Sequence, residues 1–465
     1  MKSYAHHYAH HYAHHYAHHY DKWVVVIVAF LILIGLTAVY SSTSVISPDL
    51  AERYQNRGIA VSQFDFVKNQ MFAVLIGIIA LLAAFRINLK HLKKMAVPLL
   101  LISLVCLLLV FTSLGVSGGG ARRWINVWPS TFQPSELVKL SMVIFLAWYM
   151  SLPGYQRDRF LHFAIPVAIM GVFQIILIKQ PDFGAVMNLA FLTLSMLFIS
   201  GVKLRYIFSL SLIGMPVIVK LILEPYRWER VIAFLDPWKD PLGSGYQLVQ
   251  SFIAFGSGGI TGVGLGEGRQ KLSFLPEVHT DFIFAMVGEE LGFLGAFVIV
   301  FLFFVLFIRG LLIAGRSGDS FNYYLAYGIS LMIAVQALIN FAVVTGMVPT
   351  KGLPLPFISY GGSALIVNMM GIGLLLNISR NAQVLPPEGR PPEGRPEIRT
   401  GVHNNILEDG SRNLVADAKV KSNKTKSNMD NSAQIVRINP QDKAAGSIKW
   451  SKGYGYKRYK LRGRK

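Results

Sequence analysis

The chain has 465 residues, of which 53% are hydrophobic and only 15% charged. That balance excludes an ordinary soluble domain, which needs more charge to stay in water, and it points to a membrane protein. The formal net charge of +20 would suit nucleic acid, but half of it sits after Asn381, where 18 Lys and Arg face 8 Asp and Glu. A basic tail behind the last apolar run fits a cytoplasmic end beside anionic lipid instead, with no nucleic-acid role.

Residues 1–22 form a His-rich leader in which Tyr-Ala-His-His occurs four times, placing His6, His10, His14 and His18 at helical i, i+4 spacing. Such a face could chelate a metal. No other part of the chain joins it, so it reads as a low-complexity or engineered leader outside the fold. The sole cysteine, Cys106, lies in an apolar run, which excludes an intramolecular disulfide and a multi-thiolate metal site.

Apolar runs long enough to cross roughly 30 Å of hydrocarbon then recur. The expected spans are 23–41, 67–85, 96–115, 136–151, 161–178, 184–201, 205–223, 281–308, 322–346 and 358–379. No cleavage pattern of a signal peptide precedes the first. The expected fold is therefore an all-α polytopic membrane protein of about ten transmembrane helices, with a large extracytoplasmic loop between helices 7 and 8. This membrane domain covers residues 23–380, and residues 381–465 form a basic tail without apolar periodicity that reads as disordered. The tail includes a tandem Pro-Pro-Glu-Gly-Arg repeat from Pro386 and the aromatic residues Trp450, Tyr454, Tyr456 and Tyr459.

Basic residues set the orientation. Arg86, Lys90, Lys93 and Lys94 occupy one short loop, Arg157 and Arg159 the next alternate one, then Lys203 and Arg205, then Arg309 and Arg316. These loops should face the cytoplasm, which puts both termini inside. The remaining loops, 115–135, 179–184, 224–280 and 346–357, should face outward and carry the chemistry.

The segment Pro276-Glu-Val-His-Thr-Asp-Phe282, followed by Gly288-Glu-Glu-Leu-Gly292, gathers Glu277, His279, Asp281, Glu289 and Glu290 around a membrane boundary. Carboxylates there are costly unless paired or functional. For Asp281 the bland alternative is an N-cap, and for the two glutamates capping or pairing with Arg or Lys. A second element, Gln133-Pro-Ser-Glu-Leu-Val-Lys139, opens a span and sets Glu136 and Lys139 on one face. That spacing suits an i, i+3 ion pair, or a pocket lining beside Arg122, Arg123, Trp124 and Trp128 for an anionic substrate. Prolines and glycines break the helical pattern around Asp182, Lys351 and Ser359, as they do where backbone lines a cavity or makes a rigid turn. Glycines crowd 256–268 but match no nucleotide fingerprint, and no zincin motif or nucleophile elbow is present.

Taken together, Gly118-Gly-Gly-Ala-Arg-Arg-Trp124, Gln133-Pro-Ser-Glu136, Gln180-Pro-Asp182, Tyr246-Gln-Leu-Val-Gln-Ser251, Pro276-Glu-Val-His-Thr-Asp-Phe282 and Leu355-Pro-Phe-Ile-Ser-Tyr-Gly-Gly362 resemble the SEDS family of bacterial cell-wall proteins. The resemblance spans residues 23 to 380 and leans to the division branch through 230–238, 243–247 and 266–271. Met347-Val-Pro349 leans toward the elongation branch.

The resemblance implies a peptidoglycan glycosyltransferase of the bacterial cytoplasmic membrane that polymerises lipid II at the outer face during septal synthesis. It also implies a class B penicillin-binding protein and other division proteins as partners. Asp281 matches the family's essential aspartate and is the expected general base of an inverting displacement, a reaction in which no second nucleophilic carboxylate is needed. Glu136, Lys139, Asp182, His279, Glu289 and Glu290 are supporting candidates. Arg122, Arg123, Lys139, Lys179, Arg227 and Lys351 are candidates to face the leaving diphosphate. A divalent cation, Mg or Mn, is a candidate cofactor, and neither nucleotide nor haem is expected. The rivals are a lipid II flippase and a scaffold acting through the tail.

Overall fold

The computed structural model describes residues 20–43, 63–118, 121–127, 130–272, 278–350, 352–382, 447–451 and 456–460. The His-rich leader through residue 19, most of the tail, Trp128, Glu277 and Lys351 lie outside the described residues.

Each expected span falls on a helix. In chain order these are α1 (Lys22–Ser42), α2 (Gln63–Arg86), the short α3 (Leu89–Lys94), α4 (Ala96–Leu109), α5 (Pro134–Met150), α6 (Phe160–Lys179), α7 (Phe183–Ile199) and α8 (Leu204–Ile222). Then follow α9 (Pro225–Leu235), α10 (Tyr246–Gly258), α11 (Ile283–Gly315), α12 (Ser320–Val344) and α13 (Gly362–Ala382). Among the described residues six helices are long and apolar enough to cross a membrane, and Ala96–Leu109, Phe183–Ile199 and Leu204–Pro216 are shorter apolar helices. Large apolar side chains such as Phe293, Phe297 and Phe301 point out of the bundle, an arrangement that lipid tolerates and water does not.

At the bundle centre stands α5. Pro134 supplies its first turn, and nearly every residue from Ser135 to Met150 is buried, as expected of a helix that is apolar all round. The ends of α1, α11 and α13 are tied by Asp21. Its carboxylate caps α1 through the amides of Trp23 and Val24 and pairs with Arg309, while its own N–H donates to Ser379 Oγ.

Two expected outer loops carry regular structure that the apolar pattern missed. Residues 115–132 form a three-stranded antiparallel sheet, β1 (Gly115–Gly118), β2 (Ala121–Val127) and β3 (Ser130–Phe132). Between spans seven and eight lie α9, a single 3₁₀ turn (Pro237–Lys239) and α10. In the tail, which belongs to a separate unit, β4 (Ser447–Ser451) pairs antiparallel with β5 (Tyr456–Lys460).

The largest departure from a simple span is inside α11, where Gly292 has φ 65° and ψ −165°, a conformation essentially restricted to glycine. The break frees backbone groups on both sides of it. The glycine-rich stretch takes them up: Val263 and Gly264 amides donate to the Glu289 and Glu290 carbonyls, and the Phe293 and Leu294 amides donate to Gly259 and Ile260, all at 2.9–3.1 Å. Of the glycines crowding 256–268, Gly258 and Gly262 are explained by close backbone approach, and Gly259, Gly264 and Gly266 by a positive φ. A Cβ on Gly292 would sit 2.3 Å from the Gly262 nitrogen, and one on Gly258 would sit 2.1 Å from the Gly288 carbonyl.

Gly292→Ala is therefore expected to lose about 1–3 kcal/mol from the backbone conformation alone, with the steric clash in addition. Gly214→Ala, on a helix with nothing within 4 Å of the new Cβ, should be neutral or slightly stabilising. Thermal melts of both variants in the same detergent check the contrast.

Candidate functional site

Asp281 lies one residue before the N-cap of α11, a position that Phe282 takes. Its carboxylate is turned against the 352–361 segment, where a Cβ on Gly352 would meet Asp281 Oδ2 at 2.6 Å.

Three consecutive carbonyls hold this part of the backbone. The His279 carbonyl accepts from the Tyr360 amide at 2.9 Å, the Thr280 carbonyl from Ser359 Oγ at 2.6 Å, and the Asp281 carbonyl from Asn340 Nδ2 at 2.8 Å. Ser359 Oγ in turn accepts from the Leu355 amide. The next turn is tied to α2, because Gln70 donates to the Ser359 carbonyl and accepts from the Gly361 amide. The His279 ring packs edge-on against Phe66 and Tyr360, with centroids 5.6 and 5.9 Å away.

The other expected outer segments converge on the same end of the bundle. Asp182 caps α7 through the Ala185 amide and accepts from Gln133 Nε2 and Ser135 Oγ. Arg123 donates to the Gln180 and Pro181 carbonyls, tying β2 to that turn. Ser363, at the start of α13, accepts from the Gln133 amide and donates to the Thr131 carbonyl. A Cβ on Gly184 would touch Leu353, and Arg230 of α9 donates to the Thr350 carbonyl.

Glu136 and Lys139 form the i, i+3 ion pair that their spacing suggests, at 2.8 Å with both side chains under 5% exposed. Lys139 also donates to Gln336 Oε1 at 2.6 Å. Arg122 turns back onto the Thr112 and Gly115 carbonyls of its own loop. Lys179 is exposed at the end of α6, and Arg227 lies over the Phe183 ring.

Glu289 and Glu290 sit elsewhere, on the order of 12 Å further along α11 at 1.5 Å per residue. Glu289 accepts from the Arg269 and Gln270 amides, and Glu290 pairs with Lys271 at 3.0 Å and accepts from Ser41 Oγ at 2.6 Å. Pairing was one of the two alternatives open for them, and these contacts bind the glycine-rich loop to α11 and α1. Among the described residues no group of three or more His, Cys, Asp or Glu could hold a metal ion.

Gln336 and Asn340 escaped the motif reading. The signal was present, since two amides at i, i+4 inside an apolar span are as unusual as a charge.

This is a helical membrane protein whose broken segments at one end of the bundle gather around one aspartate. Residues 22–384 match the family described as "Cell cycle protein", that of FtsW, RodA and SpoVE. The chain is 41% identical over 362 residues to the probable peptidoglycan glycosyltransferase FtsW of Geobacter sp. (strain M18), covering 77% of this chain and 96% of that one. It is also 41% identical over 366 residues to the protein of the same name from Legionella pneumophila, covering 77% and 90%. Among solved structures, a chain from a study of a peptidoglycan synthase complex that coordinates polymerization and crosslinking superposes with TM-score 0.63 at 30% identity, covering 78% of this chain and 98% of that one. The rod shape determining protein RodA of Thermus thermophilus gives TM-score 0.56 at 26% identity, covering 78% and 97%. The chain belongs to the SEDS family.

The buried Lys271–Glu290 pair gives a stability prediction. Lys271→Met leaves a carboxylate without its cation and should cost about 3–5 kcal/mol, whereas Lys271→Met combined with Glu290→Leu should regain most of that loss. Melting temperatures of the single and double variants check it, and equal values would remove the pair from the account.

Proposed function

We propose that this protein is a peptidoglycan glycosyltransferase that polymerises lipid II into glycan strands for septal wall synthesis, with Asp281 as general base. The reading is supported by its FtsW-named relatives and by one geometric observation: the carbonyls of residues 279, 280 and 281 are held by donors from two other segments, Tyr360 and Ser359 of the 352–361 stretch and Asn340 of α12. A base must stay within hydrogen-bond reach of the proton it removes, and a backbone held at three successive residues meets that need.

In this mechanism Asp281 takes the proton of the acceptor hydroxyl as that oxygen attacks the anomeric carbon of the donor, and the diphosphate leaves with its lipid. One carboxylate suffices because the displacement inverts. Lys139 is committed to Glu136 and Gln336, and Arg122, Arg123 and Arg227 each donate to backbone carbonyls, so among the described candidates the exposed Lys179 is the one proposed to face the diphosphate. A divalent cation would find one carboxylate here, Asp281, together with the diphosphate oxygens, a hard donor set of the kind Mg takes beside substrate phosphates. When bound it would offset the leaving group's charge. The site faces outward by the distribution of Lys and Arg in the opposite loops, and a class B penicillin-binding protein is the expected partner.

Asp281→Asn should lower lipid II polymerisation by about 10²–10⁴-fold with little change in melting temperature. The assay uses the purified full chain with its partner, with and without chelator. Full polymerisation by the variant would remove the general-base role. Retained lipid II translocation in vesicles without polymerisation by wild type would favour the flippase.

A further inference from the structure

Gln336 and Asn340 stand one turn apart on the same face of α12, and both are buried to 1% exposure or less. Their amide orientations follow from their neighbours. Lys139 can only donate, so Gln336 presents Oε1 to it and must turn Nε2 to the Pro354 carbonyl, 2.9 Å away. Asn340 faces two carbonyls, those of Asp281 and Leu353, and its Nδ2 donates to both at 2.8 Å. Its Oδ1 is buried and finds no partner among the described residues, a desolvation cost of about 1–3 kcal/mol.

At the start of α11 the Ala285 and Met286 amides donate to the Phe282 carbonyl, one residue beyond Asp281. The Leu353 and Pro354 carbonyls belong to an extended segment with no ladder of its own. Two side-chain amides therefore satisfy backbone that is broken on both sides of the candidate base. They also join it, through Lys139, to the buried ion pair of α5.

We propose that Asn340 and Gln336 are positioning residues that hold the Asp281 carboxylate in its reactive place. Asn340 fixes the base's own carbonyl and the Leu353 carbonyl beside Gly352, the residue that Asp281 Oδ2 abuts. Gln336 fixes the next carbonyl along that segment and anchors it to the Glu136–Lys139 pair. The role rests on the reading of Asp281 as the base.

The test compares Asn340→Leu, Asn340→Asp and Gln336→Leu, each alone and combined with Asp281→Asn, in the full chain with its partner. Lipid II polymerisation rate and melting temperature are measured for every variant. Asn340→Leu should lower kcat about 10–100-fold while KM stays within about twofold, a pattern that removal of a transition-state contribution produces. In the Asp281→Asn background the same change should have no further effect, because there is no base left to position. Gln336→Leu should act in the same direction but more weakly. Asn340→Asp keeps the volume and reverses the donor, so it carries the same readout if the leucine variant does not fold.

A rate loss that merely tracks melting temperature, or an equal fold-loss in both backgrounds, would overturn the positioning role while leaving Asp281 as the base. Full activity of Asp281→Asn alone would overturn both readings.

Discussion

Backbone that leaves the helix inside an apolar surround has to find hydrogen-bond partners within the protein, because lipid offers none. Much of this molecule is arranged around that requirement. At 279–281 the partners come from Tyr360, Ser359 and Asn340, which lie on the 352–361 segment and on α12. At Gly292 they come from the glycine-rich stretch after α10. Each break is therefore bound to a remote segment, and the helices that carry those segments are drawn together with it.

The two breaks gather different polar partners. Around Asp281 the backbone carbonyls are held by a neutral amide, a hydroxyl and a backbone N–H. Around Gly292 the carboxylates of Glu289 and Glu290 are fully engaged, by the Arg269 and Gln270 amides and by Lys271. A buried pair of that kind is costly to break, so it suits a loop that must stay docked. The glutamates at this boundary therefore serve to anchor the glycine-rich loop.

The motif reading found the right segments more readily than the right contacts. Asp182, Glu136 and Lys139 stood out as charges within apolar sequence, and the structure gives each of them a local partner: the Ala185 amide for Asp182, and one another for the pair. Gln336 and Asn340, neutral and without a motif, join the α5 pair to the Asp281 backbone. Their meaning depends on which carbonyls lie opposite, and no spacing within α12 contains that information. The glycines of 256–268 were visible as a cluster, but their purpose required Gly292 to be seen across from them.

Hydropathy was enough by itself to determine a polytopic helical protein and its approximate helix limits, because a bilayer imposes a length that acts on each segment separately. The short motifs likewise determined the family and singled out Asp281. Only the tertiary structure decided that Phe282 takes the N-cap of α11, that Glu289 and Glu290 hold the glycine-rich loop, and that two amides of α12 tie the Asp281 backbone to a buried ion pair. Those outcomes depend on hydrogen bonds between residues up to 249 positions apart, such as Ser41 with Glu290, and such partners are chosen by packing.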